Sequence, residues 1–280
     1  MNVRIVIDST ADVAAEIKEK LTIVPLSIHF GDEEYIDGIT ISHQRFYEKL
    51  VESDVLPTTS QPTPAAFMQV FEQMVEAGEQ AVVITVSEKL SGTYQSAMLA
   101  AQDYPENIYI VDSQSVAIGA GILAEFALKL AEQGMCAAEI ADRLAQEREN
   151  VHVIAMLDTL EYLKRGGRIS KTAAFAGDLL SIKPVITIRN GEIKILGKAR
   201  GSRQGNNLLV KEIQNAGGVN FAKPVLLGYT GLSDVLLQKY IHDSAALWAE
   251  STTGLRTTVV GSVVGTHAGP GAVAAAFFEA

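Results

Sequence analysis

The sequence predicts an α/β protein of two domains: an N-terminal, mostly parallel Rossmann-like sheet with helices on both faces, and a C-terminal mixed α/β domain with a β-hairpin. Three observations carry this. Continuous apolar runs at Val3–Ile7, Ala81–Val86 and Ile108–Val111 are each followed by a polar loop and a helical pattern, as expected of strands covered on both faces in a parallel sheet. Asn190-Gly191 stands between two alternating segments in 183-KPVITIRNGEIKILGKAR-200, a strong short hairpin signal. A length of 280 residues suits two domains, divided here into 1–155 and 156–280.

Val3–Ile7 leads through Asp8-Ser9-Thr10 to a helix over about 12–20. A strand over Ile23–Phe30, a Gly31-Asp32 turn, a short extended piece and a helix capped by Ser42 follow. Thr63 then fits an N-cap and Pro64 the first helical position. Phe67, Val70, Phe71 and Met74 recur at helical spacing, either as plain core or as the wall of an apolar pocket. Ala81–Val86 hands Ser91-Gly92-Thr93 to a helix ending near Asp103, and Ile108–Val111 hands Asp112-Ser113-Gln114-Ser115 to one ending near Gln133. The second half opens on a strand at Val151–Leu157. After the hairpin come a helix over 204–215, a strand at Pro224–Gly228, a helix over 233–250, a strand at Arg256–Val264 and a final helix after Gly269-Pro270-Gly271. The parallel strands end in Asp, Ser or Thr, and ligands of such sheets bind beyond the carboxyl ends.

Composition narrows the function. Hydrophobic residues make up 48% of the chain, enough for a large core, yet no apolar run reaches membrane-spanning length. MNVRIVIDST is strand-like and lacks the pattern of a signal peptide. The single cysteine, Cys136, is expected as a buried, inert thiol in a helix, and one cysteine suits a reducing cytoplasm. A net charge of −10 argues against nucleic acid as a partner. Between Lys164 and Arg203, however, ten Lys and Arg face only Asp178 and Glu192. That local excess of eight positive charges is either a docking face for something anionic or a scattered solvated surface.

Several chemistries can be weighed on residues. Gly119-Ala120-Gly121-Ile122-Leu123-Ala124 matches a dinucleotide fingerprint but lies several residues past its strand; close helix packing explains its glycines better. Neither a Walker A sequence nor a Gly-x-Ser-x-Gly elbow occurs. A serine hydrolase would need Ser91, His267 and Asp8 or Asp112 to meet in space. The five histidines show no metal-ligand spacing. Ser91-Gly92-Thr93 fits another task. The first amides of a helix are unpaired and partly positive, and with hydroxyls beside them they form a neutral cradle for an anion. Here Gly92 would let the anion approach the backbone, and N-capping alone is the plainer alternative.

The segments 7-IDSTADV-13, 59-TSQPTPAAF-67, 87-SEKLSGTYQSA-97, 111-VDSQSVAIGAG-121, 160-LEYLKRGGRIS-170, 182-IKPVI-186 and 266-THAGPGAVA-274 together resemble, from end to end, the DegV family, the fatty-acid-binding subunits of bacterial fatty acid kinase. The resemblance implies a two-domain α/β protein that binds one long-chain fatty acid between its domains. It also implies that a separate ATP-dependent kinase subunit phosphorylates the bound carboxylate for phospholipid synthesis. Carried onto this sequence, the carboxylate cradle falls on Thr59 or Ser60, Ser91 with Gly92 and Thr93, and His267. Kinase engagement falls on Arg168 and on Arg200, with Arg203 as a competitor. No cofactor, nucleic acid or stable membrane insertion is implied. Gly119, Ala120 and Gly121 would leave room for the acyl chain, and Phe67, Met68, Phe71 or Met74 would line it. Two other readings stay open: a stand-alone serine hydrolase using Ser91 and His267, and a lipid sensor without a kinase.

Overall fold

The computed structural model describes residues 2–169, 182–251 and 254–280. The elements run β1 (Val3–Asp8), α1 (Ala15–Lys18), β2 (Thr22–Val24), β3 (Ser27–Phe30), β4 (Glu33–Ile36), α2 (His43–Glu52), β5 (Thr58–Ser60), α3 (Pro64–Glu76), β6 (Gln80–Thr85), α4 (Thr93–Ala100), β7 (Ile108–Asp112), α5 (Ile118–Glu132) and α6 (Ala137–Glu147). They continue as β8 (Val151–Met156), α7 (Glu161–Arg165), β9 (Ile182–Arg189), β10 (Glu192–Arg200), α8 (Gly201–Asn215), β11 (Leu226–Tyr229), α9 (Val235–Asp243), β12 (Thr257–Val259), α10 (Ser262–Ala268) and β13 (Val273–Phe278). Residues 170–181, within the basic segment and including the last residue of LEYLKRGGRIS, lie outside the described residues.

Three sheets result. The first is parallel throughout, in the order β2-β1-β6-β7. The second is mixed, in the order β10-β9-β8-β13-β11-β12, with only β11 and β12 parallel. A small antiparallel sheet, β4-β3-β5, stands apart from both. The hairpin forms where Asn190-Gly191 demands it, with φ of 51° and 75°.

Helix α5 packs against strands of both large sheets. Most of its apolar residues from Ile118 to Leu130 are buried, in one core with Ile5, Ile7 and Ile84 of the parallel sheet and Val153 and Ala276 of the mixed one, with Phe126 and Leu128 half-buried. A helix apolar over most of its circumference is what such a position requires. Its glycines serve close approach: a Cβ on Gly121 would stand 1.9 Å from the Asp12 carbonyl oxygen, and one on Gly119 would stand 2.3 Å from Val153 Cγ2. They leave no room for an acyl chain, contrary to expectation. Because the Asp12 obstacle is backbone, Gly121→Ala is expected to cost about 3 kcal/mol or more. Ala124→Gly in the same helix should cost only about 1 kcal/mol. Urea midpoints of the two variants check this.

The structure corrects five expectations. Ile23–Phe30 is not one strand. Pro25, which has no N–H to donate, separates β2 in the parallel sheet from β3 in the small one. The helix over 12–20 shrinks to α1. Arg256–Val264 divides into β12 and the start of α10. The final helix is a strand, β13, between β8 and β11 with every residue buried; packing on both faces overrides the helical preference of its alanines. Cys136 is exposed and precedes α6 as its N-cap residue.

Candidate functional site

A cavity lies beyond the carboxyl ends of the parallel strands, where that sheet meets the mixed one. Most of its wall is aliphatic: Val153, Ala155, Ile186, Ile188, Val263 and Ala274 are examples. Polar side chains on the wall include Thr59, Ser91, Arg168 and His267.

The loop after β1 sets one edge. Asp8 is fully buried and accepts the Thr10 amide (2.9 Å), the Thr10 hydroxyl (2.6 Å) and the Val86 amide (2.7 Å). Burial raises its pKa, and these three donors oppose that rise. The loops after β1 and β6 are thereby locked together. Ser87 then donates to the Gly191 carbonyl (2.8 Å), which pins the loop after β6 to the hairpin of the mixed sheet.

Thr59 and Ser60 part company because side chains alternate along β5. Thr59 faces the cavity, whereas exposed Ser60 pairs with His29 at 2.9 Å. Ser91 also lines the cavity. Gly92 and Thr93 lie behind it. Thr93 is fully buried, and its hydroxyl is 2.9 Å from Ser91 Oγ. The open side of Gly92 is filled by Gln61, whose amide donates to the Gly92 carbonyl (3.2 Å) and to Ser96 Oγ (3.0 Å). A Cβ on Gly92 would meet Gln61 Oε1 at 2.2 Å. Gln61 thus joins the Thr59 loop to the Ser91 loop. Sequence reasoning quoted it within a motif without giving it a task, although two hydroxyls on separate loops call for such a link.

His267 occupies the last turn of α10, with Nε2 3.0 Å from Thr59 Oγ1. Its Nδ1 has no hydrogen-bond partner and lies over Gly166, where a Cβ would stand 2.2 Å away. Burial, and then the charge of Arg168, push its pKa down to about 4. The ring is therefore neutral near pH 7. Placing its proton on Nε2 satisfies the one partner present. Arg168 donates to the carbonyls of Leu90 (3.1 Å) and Gly166 (2.6 Å), so its charge sits on the cavity wall. Exposed Arg200 and Arg203 stand at the end of β10 and on α8, away from that wall.

The two cavity hydroxyls are thus prepared in the same way. With the ring proton on Nε2, Thr59 Oγ1 accepts from His267; Ser91 Oγ accepts the Thr93 amide at 3.3 Å and pairs with the Thr93 hydroxyl at 2.9 Å. Thr59 then keeps its own proton for an anion in the cavity, and Ser91 does so when Thr93 is the donor of that pair, with Arg168 supplying positive charge beside them. A hydrolytic triad is not assembled here. Ser91 bonds Thr93, His267 bonds Thr59, Asp8 is spent on Thr10 and Val86, and Asp112 accepts from Gln114 and Glu88. Phe67, Phe71 and Met74 belong to a separate core on the far face of the parallel sheet, with Met68 packed against it, and line none of this cavity.

The neutral His267 has a measurable consequence. An unfolded histidine titrates near 6.5, so between about pH 6.5 and 4 the unfolded chain binds the extra proton and the folded one does not. The His267 contribution to stability therefore falls as pH drops through that window, by on the order of 3 kcal/mol in all. Burial raises the pKa of Asp8, Asp12, Asp37 and Asp112 and acts in the opposite sense, so the measurement is a difference: the melting temperature of ligand-free His267→Gln should rise relative to wild type as pH falls from about 6.5 to 4.

A family model described as "Uncharacterised protein, DegV family" matches residues 2–280. A DegV domain-containing protein of Caldanaerobacter subterraneus is 33% identical over 99% of this chain and 98% of its own. A structure described as fatty acid binding of a DegV family protein from Thermus thermophilus superposes with a TM-score of 0.88, at 29% identity, over 99% of this chain and 100% of that one. The Streptococcus pneumoniae fatty acid kinase B3 protein, loaded with linoleic acid, shares the fold with a TM-score of 0.86 over the whole of both chains, at 21% identity. This chain belongs to the DegV family.

Proposed function

We propose that this protein holds one long-chain fatty acid in the cavity and presents its carboxylate to a separate ATP-dependent kinase, with no turnover of its own. The observation that carries the reading is an aliphatic cavity with Thr59, Ser91, His267 and Arg168 on its wall. Fatty acid binding by the Thermus thermophilus relative supports it. Domains 1–155 and 156–280 would each supply part of the wall. About 14 buried methylenes contribute on the order of 11 kcal/mol before the costs of association. The chain thus provides most of the affinity, and the hydroxyls fix the orientation.

The head group keeps two functions apart. Neutral donors and one guanidinium hold a carboxylate without attacking it, so one oxygen stays available to take the γ-phosphoryl group of ATP, giving acyl phosphate and ADP. Arg168, Arg200 and Arg203 would engage the kinase, Arg168 from the cavity wall and the other two from the exposed surface. An ATP-fed partner places the pair in the cytoplasm. Among the described residues no helix is long and apolar enough to cross a membrane, which suits a carrier that meets its partner off the bilayer.

Native mass spectrometry of the purified protein tests the first half: one stoichiometric, noncovalent long-chain acid is expected. Incubation with the kinase and ATP, followed by hydroxylamine trapping, tests the second half: hydroxamate of the same acid is expected. Bound acid with no hydroxamate from any cognate kinase would leave the sensor reading in its place.

A further inference from the structure

The parallel sheet ends on β7, which pairs with β6 alone. The backbone N–H and C=O of one strand residue point to the same side, and successive residues alternate. The Asn107 carbonyl accepts the Ala81 amide, and the Ser113 amide donates to the Thr85 carbonyl. Tyr109 and Val111 therefore also turn toward β6, and Ile108, Ile110 and Asp112 turn outward. The outward Ile108 amide donates to the Tyr104 carbonyl (3.0 Å), and the Asp112 carbonyl accepts from Arg148 Nη1 (2.8 Å). Among the described residues this leaves the Ile108 carbonyl, both backbone groups of Ile110 and the Asp112 amide unpaired. That set is self-complementary. Turned about a two-fold axis at Ile110, two β7 strands exchange bonds between their Ile110 residues and from each Asp112 amide to the opposite Ile108 carbonyl, the antiparallel pattern.

An open groove follows this edge. Tyr94 and Met98 of α4 wall it on one face of the sheet, and Ala141, Asp142 and Ala145 of α6, with Arg148 just beyond, wall it on the other. Soluble proteins usually blunt a free edge with lysine, proline or a covering element. The β7 sequence, Ile-Tyr-Ile-Val-Asp, has neither residue, and Met98 and Leu99 on the rim are 40% and 47% exposed. The charges on α6 choose the occupant. Among the described residues Asp142 has no ion pair, and Arg148 has none either, although its charge reaches the Asp112 carboxyl. Arg148 stands at the carboxyl end of β7, and Asp142 lies about 9 Å back along the helix. The same two-fold axis sets Arg148 of each copy beside Asp142 of the other, and Ala141 and Ala145 let the two helices approach. A surface that satisfies both its backbone and its charges against itself points to a second copy and not to an unrelated strand.

We propose that two copies of this chain associate through β7, antiparallel about a two-fold axis at Ile110, into one continuous sheet. The carboxyl ends of the two parallel sheets then point in opposite directions, so the two cavities lie at opposite ends of the pair.

Sedimentation velocity of the full chain over a concentration series is expected to show a dimer. Amide exchange at Ile110 and Asp112 should be slow in concentrated protein and fast in dilute protein. Arg148→Glu and Asp142→Arg each bring like charges together twice and should weaken the dimer by about tenfold or more. An equimolar mixture of the two variants restores both pairings and should recover the wild-type affinity. A single chain at every concentration overturns the proposal. So does a dimer in which Ile110 exchange does not depend on concentration, or a mixture that associates no more tightly than its components, since either places the interface elsewhere. If a variant does not fold, exchange at Ile110 in the wild type still decides.

Discussion

Replacing Thr59 by Val and Ser91 by Ala together is expected to weaken palmitate binding by about a hundredfold or more, with little change for hexadecanol. The two hydroxyls face the cavity, and each is supplied with a hydrogen bond from behind when the His267 ring proton sits on Nε2 and the Thr93 amide and hydroxyl both donate to Ser91. Each can therefore donate its proton to a carboxylate. A hydrogen bond to a charged group contributes about 1.5–3 kcal/mol, and about 1.4 kcal/mol is a factor of ten. Either single change should cost at least about tenfold. Hexadecanol keeps the chain but lacks the charge, so it isolates the head group. Titration of delipidated protein with both ligands checks the prediction, with circular dichroism to verify the fold. Parallel losses for acid and alcohol would show that the hydroxyls shape the cavity and do not hold an anion.

Part of this site was legible in the sequence, and the boundary is physical. Ser91 was visible because a β-strand followed by hydroxyls at a helix start is a local pattern, and local patterns survive in one dimension. Thr59 over Ser60 was not, because the choice depends on which face of β5 meets the cavity, and β5 is a three-residue edge strand of the small β4-β3-β5 sheet. Gly92 and Thr93 looked equivalent to Ser91; only Gln61, packed from another loop, shows that Gly92 is covered. The parallel strands β1, β6 and β7 were found because burial on both faces makes them uniformly apolar. The last strand was misjudged for a related reason. Alanine at 274–276 favours a helix, and the strands on either side of β13 override that preference.

That misjudged strand gives the second large effect. Pairing places Ile186, Ala155, Ala274 and Gly228 in one row across β9, β8, β13 and β11, and all four line the cavity. The alternate residues Val273, Ala275 and Phe277 belong to the core on the opposite face. Ala155 and Ala274 leave a short trench where they line the cavity, whereas the space over Gly228 is taken by Ile118 and Val260, which a Cβ there would meet at 3.1 and 3.2 Å. A hydrocarbon chain laid over the two alanines meets their methyl groups. Ala274→Leu fills the trench with three more carbons and should displace roughly three methylenes of ligand, a loss of about 2.4 kcal/mol or about fiftyfold for palmitate. Decanoate, with less chain to place, should lose far less. The head-group loops lie on other elements, so Thr59 and Ser91 stay in position and the change acts on chain length. Competition between the two acids for the variant is the deciding measurement. An equal loss for both would put the chain elsewhere in the cavity. A selective loss for palmitate would show that the row of small residues, set by strand register, determines how long an acid this protein accepts.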